Sequence, residues 1–424
     1  MRLNTPLLRL HRARRGSSTT EYMVLIALLG IVVLGVVFGV GRGVDGTLTT
    51  AGTTLEQAVD AAAPPPPTNG GGTGDNGGQN GPTPPPPPPP APTGFLGLQG
   101  VADWKRVCVH GIETTGERAT YCWGQNWTGA YGDGTTDTSA TPKKTLFTDA
   151  YLYLTTGANR TCAITGSFVL RCAGDNILTP YTLDFGLPSP VKAYTDNFLG
   201  GHECLLLVDG SVWCKPGWEN TPPQRVLESG AVEIAGAYEY VLCARMLDGT
   251  VQCGGSVEFT PGGFLPTPIA GLTGIDQIAG SANSMCARDG GTVLCWGKAT
   301  DGLVGNGATT GAFPTPTVIP ELQGATGIYS QPKNATFCAT MPGTVLKCWG
   351  KVPLGPGGAI TTVATPTALP GWPGGTPVVG SGFVCAILGG GGMSCTGDGT
   401  LATLGDGTTD TTDAWRTVAF PPPA

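Results

Sequence analysis

The hydrophobic pattern divides the chain into two parts of different character. Residues 23–40 form one run of 18 apolar residues, glycines included. As a helix this run spans about 27 Å, close to the roughly 30 Å hydrocarbon core of a bilayer. From residue 95 onward the apolar runs are short and are separated by glycine and proline, which is typical of β-strands and turns. The pattern predicts one N-terminal apolar helix and a β-rich C-terminal domain.

The charges around the apolar run predict its orientation in a membrane. Five arginines precede it and only Arg42 follows closely. The five are Arg2, Arg9, Arg12, Arg14 and Arg15. Positive charge stays on the cytoplasmic side, so we expect the N-terminus in the cytoplasm and the remainder of the chain outside the inner membrane.

The residues just before the apolar run resemble the leader of type IV prepilins, specifically of Flp (Tad) pilins. The sequence runs Gly16-Ser17-Ser-Thr-Thr-Glu21-Tyr22, whereas an ordinary secretory signal is cleaved after its apolar stretch. The resemblance implies that a prepilin peptidase cuts between Gly16 and Ser17, which makes Glu21 and Tyr22 the fifth and sixth mature residues. It also implies that residues 43–63 are the amphipathic end of a pilin.

Four residues of this segment are candidates for filament assembly: Glu21, Tyr22, Gly35 and Gly39. A carboxylate at the edge of an apolar helix is costly in lipid, and the Ser17 amine of a neighbouring subunit could neutralise Glu21. Alternatively, Glu21 completes a capping box with Ser18. Gly35 and Gly39 allow close helix approach, or they are merely tolerated in a membrane helix.

The sequence predicts four segments along the chain. They are a leader at 1–16, a pilin-type helix at 17–63, a Pro/Gly-rich linker at 64–94 and a repeat domain at 95–421. The linker composition cannot form a core, and its 30 or so residues reach at most roughly 90 Å. We expect it to hold the C-terminal domain away from the helix.

The repeat domain is marked by cysteines that fall into seven close pairs with a mean period of about 45 residues. The pairs are Cys108 with Cys122, Cys162 with Cys172, Cys204 with Cys214, Cys243 with Cys253, Cys286 with Cys295, Cys338 with Cys348, and Cys385 with Cys395. Several pairs enclose Asp-Gly between apolar runs, as in Asp209-Gly210 and Asp248-Gly249, which predicts β-hairpins. Facing cysteines on adjacent antiparallel strands are close enough for a disulfide within each hairpin.

Several repeats continue past the second cysteine with Trp-Gly or contain Gly-Asp-Gly-Thr-Thr, as at Trp123-Gly124 and Gly132-Asp133-Gly134. This pattern resembles the regulator-of-chromosome-condensation repeat. The resemblance implies a mainly β fold, a seven-bladed β-propeller with four-stranded blades. It is weak in the second to fourth repeats, where Ala173-Gly174, Lys215-Pro216 and Gly254-Gly255 replace Trp-Gly, so altered outer loops are expected there. Whether residues 95–101 close the last blade is left open.

Composition and charge exclude several functions. Only 12% of the 424 residues are charged and the formal net charge is −7. Without the five leader arginines the remainder carries −12, which argues against nucleic-acid binding. Fourteen cysteines favour an oxidising compartment. We predict no enzyme, no cofactor and no metal, because no catalytic motif is found; nucleotide exchange on a GTPase, which the namesake family performs, is not expected.

A few residues of the repeat domain could carry chemistry or binding. His110 and His202 are expected to be structural. Asp133 with Asp137, and Asp406 with Asp410, recur in glycine-rich loops, where tight turns are favoured over Ca²⁺ binding. Four tryptophans could bind a protein or a glycan, or pack between blades. They are Trp127, Trp218, Trp372 and Trp415.

These observations favour a Tad/Flp-type pilus subunit, or a minor pilin-like subunit, that displays an extracellular propeller for adhesion or for protein or glycan binding. Its expected partners are other pilin subunits, the prepilin peptidase, the inner membrane before assembly and an unknown extracellular protein or glycan. The alternative is a membrane-anchored propeller that acts as a protein-binding or inhibitor module without a filament. A mature N-terminus at Ser17 would support the pilin.

Overall fold

The structure is a computed structural model of the chain. It describes residues 95–422 except 158, 188–189, 198–201, 216–221, 238–240 and 256–264. The predicted leader, pilin-type helix and linker, with Gly16, Ser17, Glu21, Tyr22, Gly35 and Gly39, lie outside the described residues. Within the described part, no helix is long and apolar enough to cross a membrane.

The described residues form seven four-stranded antiparallel sheets, and in each sheet the strands follow one another in chain order. This confirms the predicted seven blades. The first four blades contain β1 (Leu96–Ala102), β2 (Arg106–Ile112), β3 (Arg118–Gly124) and β4 (Ser139–Lys144); β5 (Tyr151–Thr156), β6 (Arg160–Thr165), β7 (Leu170–Gly174) and β8 (Ile177–Thr182); β9 (Val191–Asn197), β10 (His202–Leu207), β11 (Val212–Lys215) and β12 (Gln224–Leu227); and β13 (Ala231–Ala237), β14 (Val241–Met246), β15 (Val251–Gly254) and β16 (Thr267–Pro268).

The remaining three blades follow the same order. They contain β17 (Gln277–Gly280), β18 (Ser284–Asp289), β19 (Thr292–Lys298) and β20 (Ala312–Val318); β21 (Gly327–Tyr329), β22 (Thr336–Met341), β23 (Val345–Val352) and β24 (Thr361–Ala368); and β25 (Thr376–Val379), β26 (Phe383–Ile387), β27 (Met393–Gly397) and β28 (Thr412–Thr417). Three short 3₁₀ turns lie at Thr300–Gly302, Pro320–Leu322 and Pro356–Gly358.

The first strands of the seven blades contact one another in a closed ring, in which β1 lies between β25 and β5. Residues 95–101 do not complete the last blade, because β1 pairs with β2 and β28 pairs with β27. Packing closes the ring instead. Phe95 lies 4.9 Å from Phe420, ring centroid to ring centroid, and its backbone N–H donates to the Gly391 carbonyl.

All seven predicted disulfides are present, one in each blade, and the described residues contain no free cysteine. Each joins the second and third strands of its blade at directly opposed positions. Spacing alone predicts this pairing because a tight hairpin brings residues about ten positions apart face to face. In the chain-entropy model a loop of this size contributes about 3 kcal/mol. The bonds join Cys108 with Cys122, Cys162 with Cys172, Cys204 with Cys214, Cys243 with Cys253, Cys286 with Cys295, Cys338 with Cys348, and Cys385 with Cys395.

The Trp-Gly motif is part of the contact between neighbouring blades. The indole Nε1 of Trp123 donates to the Thr403 carbonyl of the seventh blade at 2.9 Å, and Trp349 donates to the Leu303 carbonyl of the fifth at 3.0 Å. A Cβ at Gly405 would lie 2.8 Å from the Trp123 indole nitrogen. Glycine is therefore required where the loop of one blade contacts the indole of the next.

The second blade lacks this tryptophan, and the space is filled from the first blade. Ala173 occupies the tryptophan position, and Tyr131 packs in the same buried cluster. The Tyr131 hydroxyl donates to the Gly124 carbonyl. The predicted change in the outer loop is confirmed here, because Asp175 and Asn176 alone join β7 to β8. The corresponding loops of the third and fourth blades include residues 216–221 and 256–264, outside the described residues.

Candidate protein-binding surface

The antiparallel order of the strands gives the propeller two faces. Connections between the first and second strands and between the third and fourth strands emerge on one face, because successive strands run in opposite directions. We call it the insertion face, since it carries the long loops such as residues 125–138 and 398–411. The other face carries the hairpins between second and third strands and the links between blades. We call it the hairpin face.

The predicted tryptophans do not form one site. Trp127 lies on the insertion face and is 62% exposed. Trp372 and Trp415 are half-buried and pack edge to face at 5.3 Å between ring centroids, and the Trp415 indole donates to the Pro370 carbonyl at 3.0 Å. Packing between the last two blades thus accounts for this pair. Trp218 lies outside the described residues.

Trp104, which is not among the residues predicted from the sequence, is 54% exposed in the loop between β1 and β2. This loop and the one that carries Trp127 are joined by a hydrogen bond from the Gln125 N–H to the Lys105 carbonyl, at 2.8 Å. The first blade therefore presents two tryptophans on the insertion face. The position of Trp104 between Asp103 and Lys105, at the end of an apolar strand, could have indicated an exposed turn.

Buried charges next to Trp104 hold blades together. Lys105 pairs with Asp398 of the seventh blade, and Asp103 pairs with Arg106. Arg106 also donates to the Gly157 carbonyl of the second blade at 2.9 Å. Burial opposes ionisation of Asp398, but hydrogen bonds from Lys105 and Thr400 lower its pKa below the usual value. Because these groups are engaged with each other and with backbone, they position loops rather than face a ligand.

A central cavity of 440 Å³ is lined by the first strands of all seven blades. Its charged lining groups include Lys192 and Glu233. Glu233 accepts a hydrogen bond from Arg245 at 2.7 Å, although burial raises the pKa of its carboxyl. The side-chain amide of Gln277 bridges to Ile328 of the next blade: its Nε2 donates to the Ile328 carbonyl at 2.7 Å, and its Oε1 accepts from the Ile328 N–H at 3.0 Å. Glu233 and Gln277 of the cavity lining thus join neighbouring strands.

The aspartate loop of the first blade has the geometry of a tight turn. Asp133 Oδ1 accepts from the Thr135 amide at 3.0 Å and from the Thr135 hydroxyl at 2.9 Å. The backbone N–H of Asp137 donates to the same hydroxyl at 3.4 Å. The side chains of Asp133 and Thr135 thus accept hydrogen bonds from the backbone of the loop, as expected for a tight turn.

The loop of the seventh blade repeats this arrangement. Asp406 Oδ1 accepts from the amide and hydroxyl of Thr408, and the Asp410 N–H donates to that hydroxyl. Asp406 Oδ2 also accepts from Arg416 at 3.0 Å. Across the described residues, no three His, Cys, Asp or Glu side chains converge in a way that could hold a metal.

His110 is a buried residue of β2, as the structural interpretation predicts. Its Nδ1 lies 2.8 Å from the Thr120 hydroxyl, and its ring packs edge to face against Tyr151 at 5.1 Å. Burial, with a smaller contribution from Arg118, lowers the pKa of His110 to about 4. The imidazole is therefore neutral at physiological pH. The side chain of His202, at the start of β10, lies outside the described part.

The hairpin face carries an apolar groove of 400 Å³ between the second and third blades. The walls are the hairpin of the second blade and the described residues of the link from β8 to β9. Their apolar residues are Phe168, Val169, Leu170, Leu183, Phe185 and Leu187. At the hairpin tips of the third and fourth blades, Val208 and Leu247 are 49% and 80% exposed, and the Val208 N–H donates to the carbonyl of the groove residue Pro190. With Phe168 and Val169, which are 37% and 38% exposed, they place exposed apolar side chains at the hairpin tips of three successive blades.

Phe168 has an unusual backbone conformation in this groove. Its φ is 61°, in the left-handed region, where a bulky side chain is disfavoured. Counted from the first cysteine of each blade, Gly210, Gly249 and Gly391 hold the same turn position with φ of 79°, 78° and 80°, and Thr344 holds it in the sixth blade with φ of 58°. The second blade thus has an aromatic side chain, 37% exposed, at a position where glycine is the unstrained choice. Strain of this kind is found most often at functional sites.

No protein-family model and no curated protein sequence matches the chain. Solved structures do match it. Yeast RCC1 (Prp20) bound to Kap60 is 15% identical, with 78% of this chain and 86% of that chain covered and a TM-score of 0.59. Prp20p from Saccharomyces cerevisiae is 16% identical, with 77% and 88% covered and a TM-score of 0.60. Human WBSCR16 is 15% identical, with 72% and 94% covered and a TM-score of 0.62. At this identity the likeness shows the fold, an RCC1-like seven-bladed β-propeller.

Proposed function

We propose that this chain is a protein-binding propeller that an N-terminal pilin-type segment displays outside the cell, as a subunit or minor subunit of a Tad/Flp-type filament. The observation that carries the binding function is the apolar groove on the hairpin face, which exposes Phe168 at a strained turn. Exposed apolar patches rimmed by polar groups mark interaction sites.

Two further observations support protein binding outside the cell. Disulfides in every blade suit an oxidising compartment. Among the similar structures, Prp20 is a propeller described with protein partners, namely Kap60, Gsp1p and histones. Those partners belong to Prp20, and the acidic charge of this chain argues against DNA. What carries over to the proposal is the use of a propeller surface to bind protein.

The filament role rests on the sequence around Gly16, Ser17 and Glu21. Its test is the mature N-terminus of the chain in its producing bacterium, read by mass spectrometry, together with immunogold labelling of sheared surface fibres. The filament subunit predicts a chain that begins at Ser17 and label on the fibres. An intact leader, or label confined to the inner membrane, would reject the filament role and leave the anchored binding module.

Adhesion is the role we propose for the displayed propeller. Bacteria that produce the Phe168→Gly chain should attach more weakly to cells or matrix than bacteria with the unaltered chain. The matched control is Val318→Ser, which alters an exposed apolar residue, 48% exposed, at the outer strand of the fifth blade. Equal attachment of all three strains would argue against a role for the groove in adhesion.

A further inference from the structure

We propose that the groove on the hairpin face binds a cationic amphipathic segment of a partner protein, with apolar side chains in the groove and Lys or Arg on the surrounding carboxylates. This inference rests on the proposed protein-binding function and adds the chemistry of the partner. It is carried by an apolar groove together with the charge around it.

The size and lining of the groove suit the side chains of a peptide segment. Its 400 Å³ lies within the usual range of ligand pockets, about 300–1,000 Å³. Phe168 and Phe185 provide aromatic walls, and aromatic residues are typical anchors of protein interfaces. The backbone N–H of Val208 donates to the Pro190 carbonyl at 2.9 Å, so the hairpin tip of the third blade contacts one edge of the groove.

Carboxylates alternate with the exposed apolar residues along this face. Asp184 lines the groove, Asp209 follows Val208, and Asp248 follows Leu247. All three are exposed. Hydrogen bonds from the hydroxyl and amide of Ser211 lower the pKa of Asp209, and those of Thr250 lower the pKa of Asp248, so both are ionised at neutral pH.

Few positive charges offset these carboxylates. Residues 151–268 contain 6 Lys or Arg and 11 Asp or Glu. Four of the six basic residues are already in ion pairs within the propeller. They are Arg160 with Asp175 and Glu203, Arg171 with Asp149, Arg225 with Glu228, and Arg245 with Glu233. The second to fourth blades thus carry a net negative charge, which favours a positively charged partner.

The same features argue against other classes of ligand. A glycan would place hydroxyl groups against apolar walls, where polar groups without hydrogen-bond partners are costly. A bilayer with anionic lipids would be repelled by the carboxylates. A protein segment that combines apolar and basic side chains meets both requirements.

The test is selection from a phage library of random twelve-residue peptides on the purified full-length chain, with the Phe168→Gly chain for counter-selection. Glycine at this turn should fold, because Gly210 and Gly249 have the same conformation. We expect enriched peptides that combine Leu, Phe or Trp with Lys or Arg. The Phe168→Gly chain should bind a representative synthetic peptide at least tenfold more weakly, and Trp127→Ala, on the insertion face, should bind it equally.

Charge is tested with Asp184→Asn and Asp248→Asn, because an amide oxygen can still accept the turn hydrogen bonds from Gly186 and Thr250. Each should weaken peptide binding about threefold at low salt, and the difference should shrink at high salt. Peptides without basic residues, salt-independent binding, or no peptide that distinguishes the Phe168→Gly chain would overturn the inference. If adhesion nevertheless depends on Phe168, the proposed protein-binding function stands and only the partner chemistry fails.

Discussion

The two halves of the propeller ring use different means to join their blades. In the first and sixth blades, Trp123 and Trp349 donate to a loop of the preceding blade. In the second blade Ala173 takes the tryptophan position, and Tyr131 of the preceding loop fills the space. The tryptophan of the repeat motif thus forms contacts between neighbouring blades. Its absence from the second to fourth blades does not interrupt the ring.

On the hairpin face the exposed apolar tips named above lie in the half without the motif, whereas the exposed Trp104 and Trp127 of the insertion face belong to the first blade. Phe168, Val208 and Leu247 lie at the hairpin tips of the second, third and fourth blades. The hairpin tip of the fifth blade is Gly290-Gly291, and that of the seventh is rich in glycine. We infer that the regular half is chiefly scaffold and the irregular half presents the interaction surface.

The largest effect is expected at a motif tryptophan. Trp349 is fully buried, stacks on Phe337 at 5.2 Å and donates to Leu303. Trp349→Ala should lower the free energy of unfolding by about 3–5 kcal/mol. Trp127→Ala, at an exposed site, should change it by less than about 0.5 kcal/mol. Guanidinium unfolding of both variants measures the difference. Similar losses of unfolding free energy in the two variants would show that the motif tryptophan is not the main contact between blades.

Two substitutions test whether Tyr131 fills the space that a tryptophan at position 173 would otherwise occupy. Ala173→Trp alone should cost about 1–3 kcal/mol, because the site is already filled by Tyr131. Adding Tyr131→Leu, the residue found at the equivalent position 404, should recover at least about 1 kcal/mol. Unfolding of the two single variants and the double variant gives the coupling. Additive losses would mean that the two side chains do not substitute for each other.

The buried histidine of the first blade should make stability depend on pH. His110 has a pKa of about 4 in the folded chain, lowered by burial and by Arg118, against about 6.5 when unfolded. The unfolded chain therefore binds the proton first, and stability is lost as the pH falls from about 6.5 towards 4. The loss at pH 5 should be about 2 kcal/mol.

His110→Gln provides the control for this pH dependence. This variant should lack the contribution of about 2 kcal/mol that His110 makes to the change in unfolding free energy between pH 7.5 and pH 5. The contributions of other titratable groups should remain. An unaltered difference between the two pH values would contradict the neutral buried histidine.

The smallest effect is expected at Phe168. Phe168→Gly removes the left-handed strain of a bulky residue and should raise the free energy of unfolding by up to about 1 kcal/mol. Phe168→Ala, which keeps a Cβ in the same conformation, should not give this gain. If glycine destabilises the chain, Phe168 contributes to the core and the functional explanation of its strain is wrong.

The spacing of the cysteines and turn residues was sufficient to predict the number of blades, the pairing of all fourteen cysteines and the hairpins that contain them. These features depend on contacts between residues about ten positions apart, which spacing and turn residues specify directly. The sequence also indicates a pilin-type N-terminus at Gly16 and Ser17, which stays a prediction because those residues lie outside the described part.

The side chains that meet between blades, and those that remain exposed, could be identified only from the three-dimensional arrangement of the blades. The contact of Trp123 with Thr403 joins residues 280 positions apart, and the replacement of a tryptophan by Tyr131 involves two different repeats. The same holds for the groove, where a hairpin and an inter-blade link come together around Phe168. Such contacts depend on the angle and spacing of whole blades, which no local pattern of residues encodes.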